Sequence, residues 1–422
     1  VEEIKNDTGL TIKQIIALIL GSLKDSNMTS VALEKEFGKA KRVSPLFTVP
    51  FSSSRKFSAV SLEKYGTFLL GAPEFILKKK YNDIKDVISE NIAETPVIKA
   101  TMMGPRAVGK TSIMASIFSD TRDNVSGTQL YFRPSQNSSS ELINKRLSLM
   151  NIFSKRIEIT DEPQTGAIAA SNTVTDFTFE MGFVGRKKTV DNEIKDFPGE
   201  FLTSKPNDVA GFIDDSHVVI VAIDSPYLME NDGLYNEDKN EVQRVTAFLT
   251  NHAESIKDKL ILLVPLKCER YFHDDKINSL KDKVMSSYSQ LINFCKTSNI
   301  ACAITPIQTL GEIEFDSFID NTYSYGNISK ISKYRFTSEK AEYKPLFCVQ
   351  PLYYLLTYVA NYYEWSENQP KNFWGNIRSS FVSMLKDNDE FFIEIKKMSQ
   401  NILIDRMGYA VVVNNTIFNI KK

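Results

Sequence analysis

The sequence predicts an α/β fold in which a mostly parallel sheet contains one antiparallel pair of strands. A glycine-rich stretch, GPRAVGKT at 104–111, lies between a predicted strand at 97–103 and a predicted helix at 111–118. Two strands with alternating apolar residues, at about 175–184 and 189–195, face each other across a glycine turn. Apolar strands and helices then alternate along the chain, which is the pattern of a parallel sheet covered by helices.

The chain is longer than one ordinary core requires. Its 422 residues lead us to expect at least two domains. The predicted organisation is a small α+β unit at 1–78, a charged linker at 79–95, the main α/β domain at 96–310 and a mainly helical extension at 311–422.

The charge balance and the cysteine pattern argue against several classes of protein. Lys and Arg total 51 against 52 Asp and Glu, so no overall field favours nucleic acid or an anionic membrane. The four cysteines form no C-x-x-C pair and the three histidines lie far apart, which argues against a zinc site. Reduced cysteines suit the cytoplasm, the location we expect. The apolar run at 15–20 is far too short to span a bilayer.

In the N-terminal unit we expect one helix and two strands. Apolar residues at helical spacing predict a helix at 11–20 that ends at Gly21. Short strands are predicted at about 56–61 and 66–70, with Gly66 in the turn between them. The charged residues of the following linker are expected to face solvent.

The main domain and the extension contain further predicted elements. Ser139 or Ser140 is expected to cap a helix at 141–154 in a Ser-rich insertion. The remaining predicted elements are strands at 217–223, 260–265 and 300–304, helices at 239–252, 276–297, 351–363 and 389–407, an irregular segment from 311, and a final hairpin turning at Asn414 and Asn415.

The stretch 104–111 matches the P-loop pattern, in which a glycine loop between a strand and a helix cradles phosphate groups. Loop N–H groups and the positive end of the helix bind phosphate oxygens. Lys110 is expected to reach the β- and γ-phosphates, and the Thr111 hydroxyl to bind Mg²⁺. The alternative is a glycine turn followed by a solvent-facing lysine. The residues expected to contact nucleotide here are Gly104, Arg106, Val108, Gly109, Lys110, Thr111 and Ser112.

A second motif, DFPGE at 196–200, follows the second strand of the predicted antiparallel pair. The Asp196 carboxylate can hold Mg²⁺ through water there, and the Gly199 amide can meet the γ-phosphate. The pattern D-x-x-G alone is common at strand ends. Its place between a hairpin and a helix followed by an apolar strand favours the phosphate role.

This order of elements resembles that of Ras-like GTPases of the translation-factor-related class, whose second and third strands form a hairpin that delivers the D-x-x-G switch. The D-x-P-G-E form is similar to that of the YcjX-like and bacterial double-GTPase families, which are associated with stress and conflict systems. The resemblance covers about 96–310 and extends less closely to about 365. It implies binding of GTP or GDP, slow hydrolysis with Mg²⁺, and two switch segments that order around the γ-phosphate.

The base-reading motif departs from the family pattern [NT]-K-x-D. Leu266-Lys267-Cys268-Glu269 stands at the matching place. Lys267 can still pack on the base and Glu269 can still accept hydrogen bonds from guanine, whereas Leu266 is foreign to the pattern. Binding of ATP in place of GTP therefore stays open.

Three further parts of the family pattern have more than one reading. Glu200 stands where many relatives place a water-positioning Gln or His, so it is a candidate base, and otherwise it caps the following helix. For the switch I threonine that would bind the metal, Thr165 is favoured over Thr173 and Thr175. The stretch 304–306 lies where such GTPases place a loop beside the base, or is only a strand end.

The N-terminal unit resembles part of the nucleotide-binding domain of P-type cation ATPases. The resemblance lies in NMTSVAL at 27–33, PFSSSRKFSAV at 50–60 and LGAPEFIL at 70–77. In those pumps the Phe that matches Phe51 stacks on adenine, whereas Leu70 stands where many members carry a Lys. The sequence has no D-K-T-G-T phosphorylation motif and no membrane helix. We therefore expect either a retained structural module or a non-functional fragment of a cation pump.

The sequence thus predicts a GTP-binding molecular switch that hydrolyses GTP slowly with Mg²⁺ and acts on a protein partner. A scaffold that holds nucleotide without hydrolysing it, and an ATPase, are the alternatives. The predicted catalytic residues are Lys110 and Glu200, and the predicted metal ligands are Thr111, Asp196 and Thr165.

Overall fold

The computed structural model divides into two compact units, Val1–Glu94 and Thr95–Lys422. It describes residues 10–23, 28–38, 40, 44–52, 56–72, 76, 95, 97–105, 108–124, 128–161, 173–186, 188–321, 329–367 and 389–420. Almost all of the predicted linker at 79–95 lies outside these residues.

The first unit is a small α+β structure. Its elements are α1 Ile12–Ser22, α2 Met28–Phe37, β1 Phe47–Val49, β2 Phe57–Leu62 and β3 Gly66–Gly71. The strands form an antiparallel sheet in the order β1-β2-β3. Thr11 caps α1 through a reciprocal pair of hydrogen bonds with Gln14. The helix and both strands lie within two residues of their expected bounds, and β1 adds a third strand.

The sequence predicted that helix α1 ends at Gly21, but it does not end there. It continues to Ser22, and a Cβ atom at Gly21 would lie 2.7 Å from the carbonyl oxygen of Ala40. Glycine at this position therefore allows close backbone approach and does not mark a helix break.

The second unit contains the remaining elements. Its strands are β4 Val97–Met103, β5 Leu130–Pro134, β6 Ile159–Thr160, β7 Thr175–Phe183, β8 Lys188–Asp196, β9 Val218–Asp224, β10 Leu260–Leu266, β11 Ala301–Ile304, β12 Ile313–Asn321, β13 Ser329–Phe336 and β14 Ala410–Val413. Its helices are α3 Lys110–Asn124, α4 Gln136–Lys155, α5 Phe201–Ser204, α6 Pro206–Asp214, α7 Ser225–Met229, α8 Asn236–Asn240, α9 Val242–Asn251, α10 Ala253–Ile256, α11 Glu269–His273, α12 Ile277–Ser287, α13 Ser289–Thr297, α14 Gln350–Glu367 and α15 Asp389–Ser399.

Eight strands form the main sheet in the order β14-β11-β10-β9-β4-β8-β7-β5. Strands β8, β4, β9, β10 and β11 are parallel to one another, and β7 pairs antiparallel with β8. The predicted mostly parallel sheet with one antiparallel hairpin is therefore confirmed. Every residue of β9 and β10 is buried, as expected for central strands covered on both faces.

The two faces of the main sheet carry separate apolar cores. On one face, buried residues of β4, α3, α14 and α15 belong to one apolar cluster, which includes Ile113, Leu352 and Phe391. On the other face, Val245 of α9 and Leu280 of α12 are buried against β9 and β10. No helix among the described residues is long and apolar enough to cross a membrane.

Of the two edge strands of the main sheet, β5 was not predicted, and β14 was expected only as the first strand of a terminal hairpin. β5 pairs antiparallel with β7, and β14 pairs antiparallel with β11. The predicted hairpin at Asn414 and Asn415 is wrong, because β14 lies beside β11 and has no following strand among the described residues. The sheet thus recruits residues from beyond the predicted boundary at 310.

The segment from 311, predicted to be irregular, contains the strands β12 and β13. β12 and β13 pair antiparallel, and β6 joins them to give a three-stranded sheet in the order β12-β13-β6. Its apolar side packs against α4, with Phe153, Phe315 and Tyr334 buried in one cluster. This second sheet lies beside the loop between β4 and α3.

Helix boundaries also differ from expectation. α4 begins at Gln136 with Ser135 as its N-cap, so Ser139 and Ser140 lie inside the helix. Ser139 donates from its hydroxyl to the carbonyl oxygen of Ser135 at 2.7 Å, a bond that a helical serine can make without capping. The helices predicted at 239–252 and 276–297 are each divided in two, and the last predicted helix ends at Ser399.

Candidate nucleotide-binding site

The glycine loop leaves β4 at the carboxyl edge of the sheet and enters α3 at Lys110. Gly104 has φ of +150°, and a Cβ atom there would lie 2.8 Å from the carbonyl oxygen of Ala222 in β9. Gly109 has φ of +110°. Both positions therefore favour glycine because their φ angles are positive. At Gly104 a side chain would also collide with the Ala222 carbonyl oxygen. Arg106 and its neighbour Ala107 lie outside the described residues.

Replacing Gly104 with alanine is expected to destabilise the second unit by about 1–3 kcal/mol, because the new methyl group meets a backbone oxygen in a strained conformation. Gly185 provides a matched control, since it has φ of +81° but a Cβ atom there would have no described neighbour within 4 Å. Chemical denaturation of both variants measures the difference. Equal losses would mean that the contact with Ala222 contributes nothing.

The Lys110 side chain points back over the loop. Its ammonium group donates to the carbonyl oxygens of Gly104 at 2.9 Å and Pro105 at 3.0 Å. Burial lowers the pKa of Lys110, while the negative charges of Asp196 and Glu200 act to raise it. The side chain is only 8% exposed, so the structure excludes the alternative of a solvent-facing lysine.

Thr111 and Asp196 meet next to this lysine. The Thr111 hydroxyl donates to Oδ2 of Asp196 at 2.9 Å. The other carboxylate oxygen, Oδ1, is buried with no hydrogen-bond partner among the described residues. Burial raises the pKa of Asp196, and the Lys110 ammonium and the Thr111 hydroxyl oppose that rise. A hydroxyl oxygen beside an unpartnered carboxylate oxygen is a donor set that fits Mg²⁺.

Two of the three candidate switch I threonines, Thr173 and Thr175, lie among the described residues. Thr165 lies outside the described residues. Thr173 is exposed, whereas Thr175 begins β7 directly across the ladder from Asp196. Of the two described alternatives, Thr175 therefore lies beside the Asp196 backbone.

Glu200 follows Gly199 in the turn between β8 and α5. It occupies the N-cap position of α5, but its side chain makes no capping hydrogen bond. The backbone carbonyl of Glu200 accepts from the Thr203 and Ser204 amides instead. The capping role of the carboxylate is therefore wrong, and the exposed side chain stands within electrostatic reach of Lys110.

The base motif adopts an arrangement that its sequence did not indicate. Leu266 is fully buried in the same core cluster as Val108. Lys267 has φ of +56°, and its ammonium donates to Oδ2 of Asp224 at 2.5 Å. Glu269 accepts through Oε1 from the Leu310 amide at 2.8 Å, so this carboxylate holds the loop after β11.

The predicted loop at 304–306 follows the last parallel strand. The Thr305 amide donates to the Leu263 carbonyl at 2.9 Å, and the Tyr409 hydroxyl donates to the Pro306 carbonyl at 2.6 Å. These bonds join the loop to β10 and to the segment that leads into β14. Residues further along, Thr309 and Leu310, approach the glycine loop.

A cavity of about 30 Å³ lies between the glycine loop and the three-stranded sheet. A space of about 10–15 Å³ open to the centre of a water molecule is enough to hold one water, so the cavity is large enough for solvent. Ten residues from several elements bound it, among them Val108, Gly109, Ser112, Lys267, Leu310 and Tyr334. The Ser112 hydroxyl is buried there without a hydrogen-bond partner among the described residues.

Three residues of this region escaped the sequence analysis. Asp224 is the acidic end of an otherwise apolar strand, a signal that could have been noticed. Asp161 and Tyr334 carry no local signal, because each reaches the site only through pairing between β6 and β13. Asp161 accepts from the Ser332 amide at 2.7 Å and from the Tyr227 hydroxyl at 2.8 Å.

Comparison with known proteins yields partial likenesses. No family model matches the chain. A curated protein of Streptococcus pneumoniae serotype 4, "Probable cation-transporting ATPase exp7", is 31% identical over 77 residues, which cover 18% of this chain and 10% of that protein. The chain thus spans about a tenth of the length of this relative. Part of the chain is similar to part of a cation-transporting ATPase.

Two solved structures are similar over about half of this chain. The Ski7 GTPase-like domain of S. cerevisiae bound to GTP is 15% identical, with a TM-score of 0.36, and the match covers 53% of this chain and 45% of that one. The LeoA bacterial dynamin GTPase from ETEC is 14% identical, with a TM-score of 0.27, over 55% of this chain and 33% of that one. The fold assignment rests on the strand order and not on these neighbours.

Proposed function

We propose that the chain binds GTP at the glycine loop and hydrolyses it slowly with Mg²⁺, as a molecular switch that signals to a protein partner. The observation that carries this proposal is the arrangement at one sheet edge of the Lys110 ammonium and the Thr111–Asp196 pair. A buried cation and a hydroxyl–carboxylate pair beside a helix N-terminus suit a triphosphate and its metal.

Lys110 has a clear task toward phosphate. Without ligand, its ammonium is buried and satisfied only by the Gly104 and Pro105 carbonyls among the described residues. Phosphate oxygens would accept hydrogen bonds directly from the ammonium, and such charge-assisted bonds are stronger than bonds to neutral carbonyls. The loop amides and the first turn of α3 would complete the cradle.

Thr111 and Asp196 are the residues that would hold Mg²⁺, together with a switch I threonine. The metal, when bound, supplies positive charge that offsets the charge of the phosphate oxygens. Asp196 would keep its negative charge through the nearby Lys110, which opposes the effect of burial. Thr165, favoured by the sequence, remains the proposed third ligand.

Glu200 is the proposed base for hydrolysis. A water molecule would attack the γ-phosphorus, the bond to the β-phosphate oxygen would break, and a proton of the water would pass to the Glu200 carboxylate. A carboxylate is repelled by the γ-phosphate, so hydrolysis is expected to be slow. Gly199 would face the γ-phosphate through its amide.

ATP is the second candidate ligand, and it is supported by the hydrogen bonds that occupy the proposed guanine-reading residue. The Glu269 carboxylate, which would read guanine, is bound by the Leu310 amide at 2.8 Å and the Gly311 amide at 3.3 Å. Guanine would have to replace these bonds or use the other oxygen. A scaffold that holds nucleotide without hydrolysing it would use the same loop. It differs from a GTPase in that it releases no phosphate.

The test is calorimetric titration of the full chain with GTP, GDP and ATP in Mg²⁺, followed by assay of released phosphate. We expect GTP binding, with release of phosphate over many minutes. Tighter binding of ATP would identify an ATPase, and binding without any release would identify a scaffold. If the chain binds none of the three nucleotides, the proposed nucleotide site is refuted.

A further inference from the structure

The wall of the cavity that faces the glycine loop is aromatic. Tyr334 of β13 is 8% exposed and bounds the cavity together with Lys267. The Lys267 ammonium lies 5.6 Å from the centroid of the Tyr334 ring. A flat ring and a lysine side chain therefore bound the same space.

Both groups are held in place by their surroundings. Asp224 binds the Lys267 ammonium at 2.5 Å, and both side chains are buried. Tyr334 lies opposite Ile159 in the ladder between β13 and β6, and Asp161 joins the two strands through the Ser332 amide. The Lys267 stem is left to line the cavity while its charge is neutralised.

The cavity has the position that the rest of a nucleotide would require. If the loop binds the phosphates, the sugar and base must continue along the carboxyl ends of the parallel strands. The cavity continues from Gly109 and Ser112 toward Lys267, at the end of β10, and Leu310, beyond the end of β11. Ser112 also bounds this space, and its hydroxyl is buried with no hydrogen-bond partner among the described residues.

We propose that Tyr334 and the Lys267 stem form the two walls between which a purine base stacks. This inference rests on the proposed nucleotide function and names the residue that holds the base. The Lys267 ammonium lies 5.6 Å from the centroid of the Tyr334 ring, whereas a base between the two needs two contacts of about 3.5–4 Å each, so the ring must shift when nucleotide enters. Aromatic rings bind bases through their faces, and every purine has such a face.

The stacking contact gives an expectation about selectivity. It does not depend on the groups at the edge of the base, and Glu269, the residue that would read that edge, is bound to the loop after β11. Loss of the Tyr334 ring is therefore expected to weaken GTP and ATP by the same factor. Inorganic tripolyphosphate, which has no base, should be unaffected.

The experiment measures binding of GTP, ATP and inorganic tripolyphosphate to the full chain in Mg²⁺ by calorimetry. Tyr334→Leu keeps apolar volume but removes the ring, and it is expected to weaken GTP and ATP about tenfold or more, given typical stacking contributions. Tyr334→Phe should bind within about twofold of the parent, since the ring remains. Tyr343→Leu is the control, because Tyr343 contacts Phe153 in the same layer but does not line the cavity.

Three results would overturn the proposal. Unchanged or tighter GTP binding by Tyr334→Leu would show that the ring blocks the site and does not hold the base. Equal loss of tripolyphosphate binding would show that Tyr334 supports the fold. A parent protein that binds none of the three ligands would refute both this inference and the proposed function, whereas the first two results leave the proposed function standing.

Discussion

Lys110→Ala is expected to abolish triphosphate binding while the fold is retained. The loss should be roughly a hundredfold or more, which corresponds to about 2.8 kcal/mol. The physical reason is that the Lys110 ammonium is the buried cation of the loop, placed 2.9 Å from the Gly104 carbonyl. Calorimetric titration with GTP in Mg²⁺ measures the effect.

The same substitution should not lower the free energy of unfolding in the absence of nucleotide. Burial lowers the pKa of Lys110, so the folded chain without ligand disfavours its charged form. That penalty is present below the lowered pKa and disappears as the pH rises toward 10.5, the ordinary value. Stability gained through alanine should therefore be larger at neutral pH than at strongly alkaline pH.

Lys99→Ala is the matched control for Lys110→Ala. Lys99 lies on the same strand, β4, but pairs with Asp215 at 2.5 Å and not with the glycine loop. Its loss removes one positive charge without touching the site, so nucleotide affinity should stay unchanged. Equal weakening by both variants would mean that overall charge, and not the loop, governs binding.

Asp196→Asn is expected to weaken binding of GTP in Mg²⁺ far more than binding of GDP in a chelator. Asparagine keeps the shape and can still accept from the Thr111 hydroxyl, which now lies 2.9 Å from Oδ2. It removes the negative charge that the proposed metal would use. The two affinities, measured for parent and variant, give the effect of the charge with and without metal.

A different outcome would assign Asp196 another role. Equal loss of affinity with and without Mg²⁺ would show that the carboxylate orders the turn and does not serve the metal. Thr175→Val tests the neighbouring position, since Thr175 stands across the ladder from Asp196. If Thr175 is not a ligand, this variant should keep the parent's dependence on Mg²⁺.

Local patterns predicted the centre of the second unit correctly. The glycine loop, the hairpin of β7 and β8 and the buried strands β9 and β10 all follow from residues close together in the sequence. Alternation of Phe177 and Phe179 with polar neighbours gave the strand period, and both rings are buried. Continuous apolar runs likewise indicated strands covered on both faces.

Partners distant in sequence explain what could not be predicted. The place of Glu269 in the sequence permits a contact with the base. Its carboxylate instead accepts a hydrogen bond from the amide of Leu310, 41 residues away. Tyr334 reaches the cavity only because β13 pairs with β6, and β6 is two residues long. No periodic signal marks so short a strand, and its place depends on tertiary packing.

The position of β14 constrains the order in which this protein can mature on a ribosome. A nascent chain that has emerged only through β11 has the glycine loop and every parallel strand of the described main sheet, yet β11 still lacks its outer neighbour, β14. Phe418, fully buried in the core cluster that contains Ile113 of α3, is also missing at that stage. Unpaired strand edges and uncovered apolar surface favour association with other chains. Between synthesis of residue 304 and residue 418, the nascent chain is therefore expected to need protection from aggregation even though its parallel strands are complete.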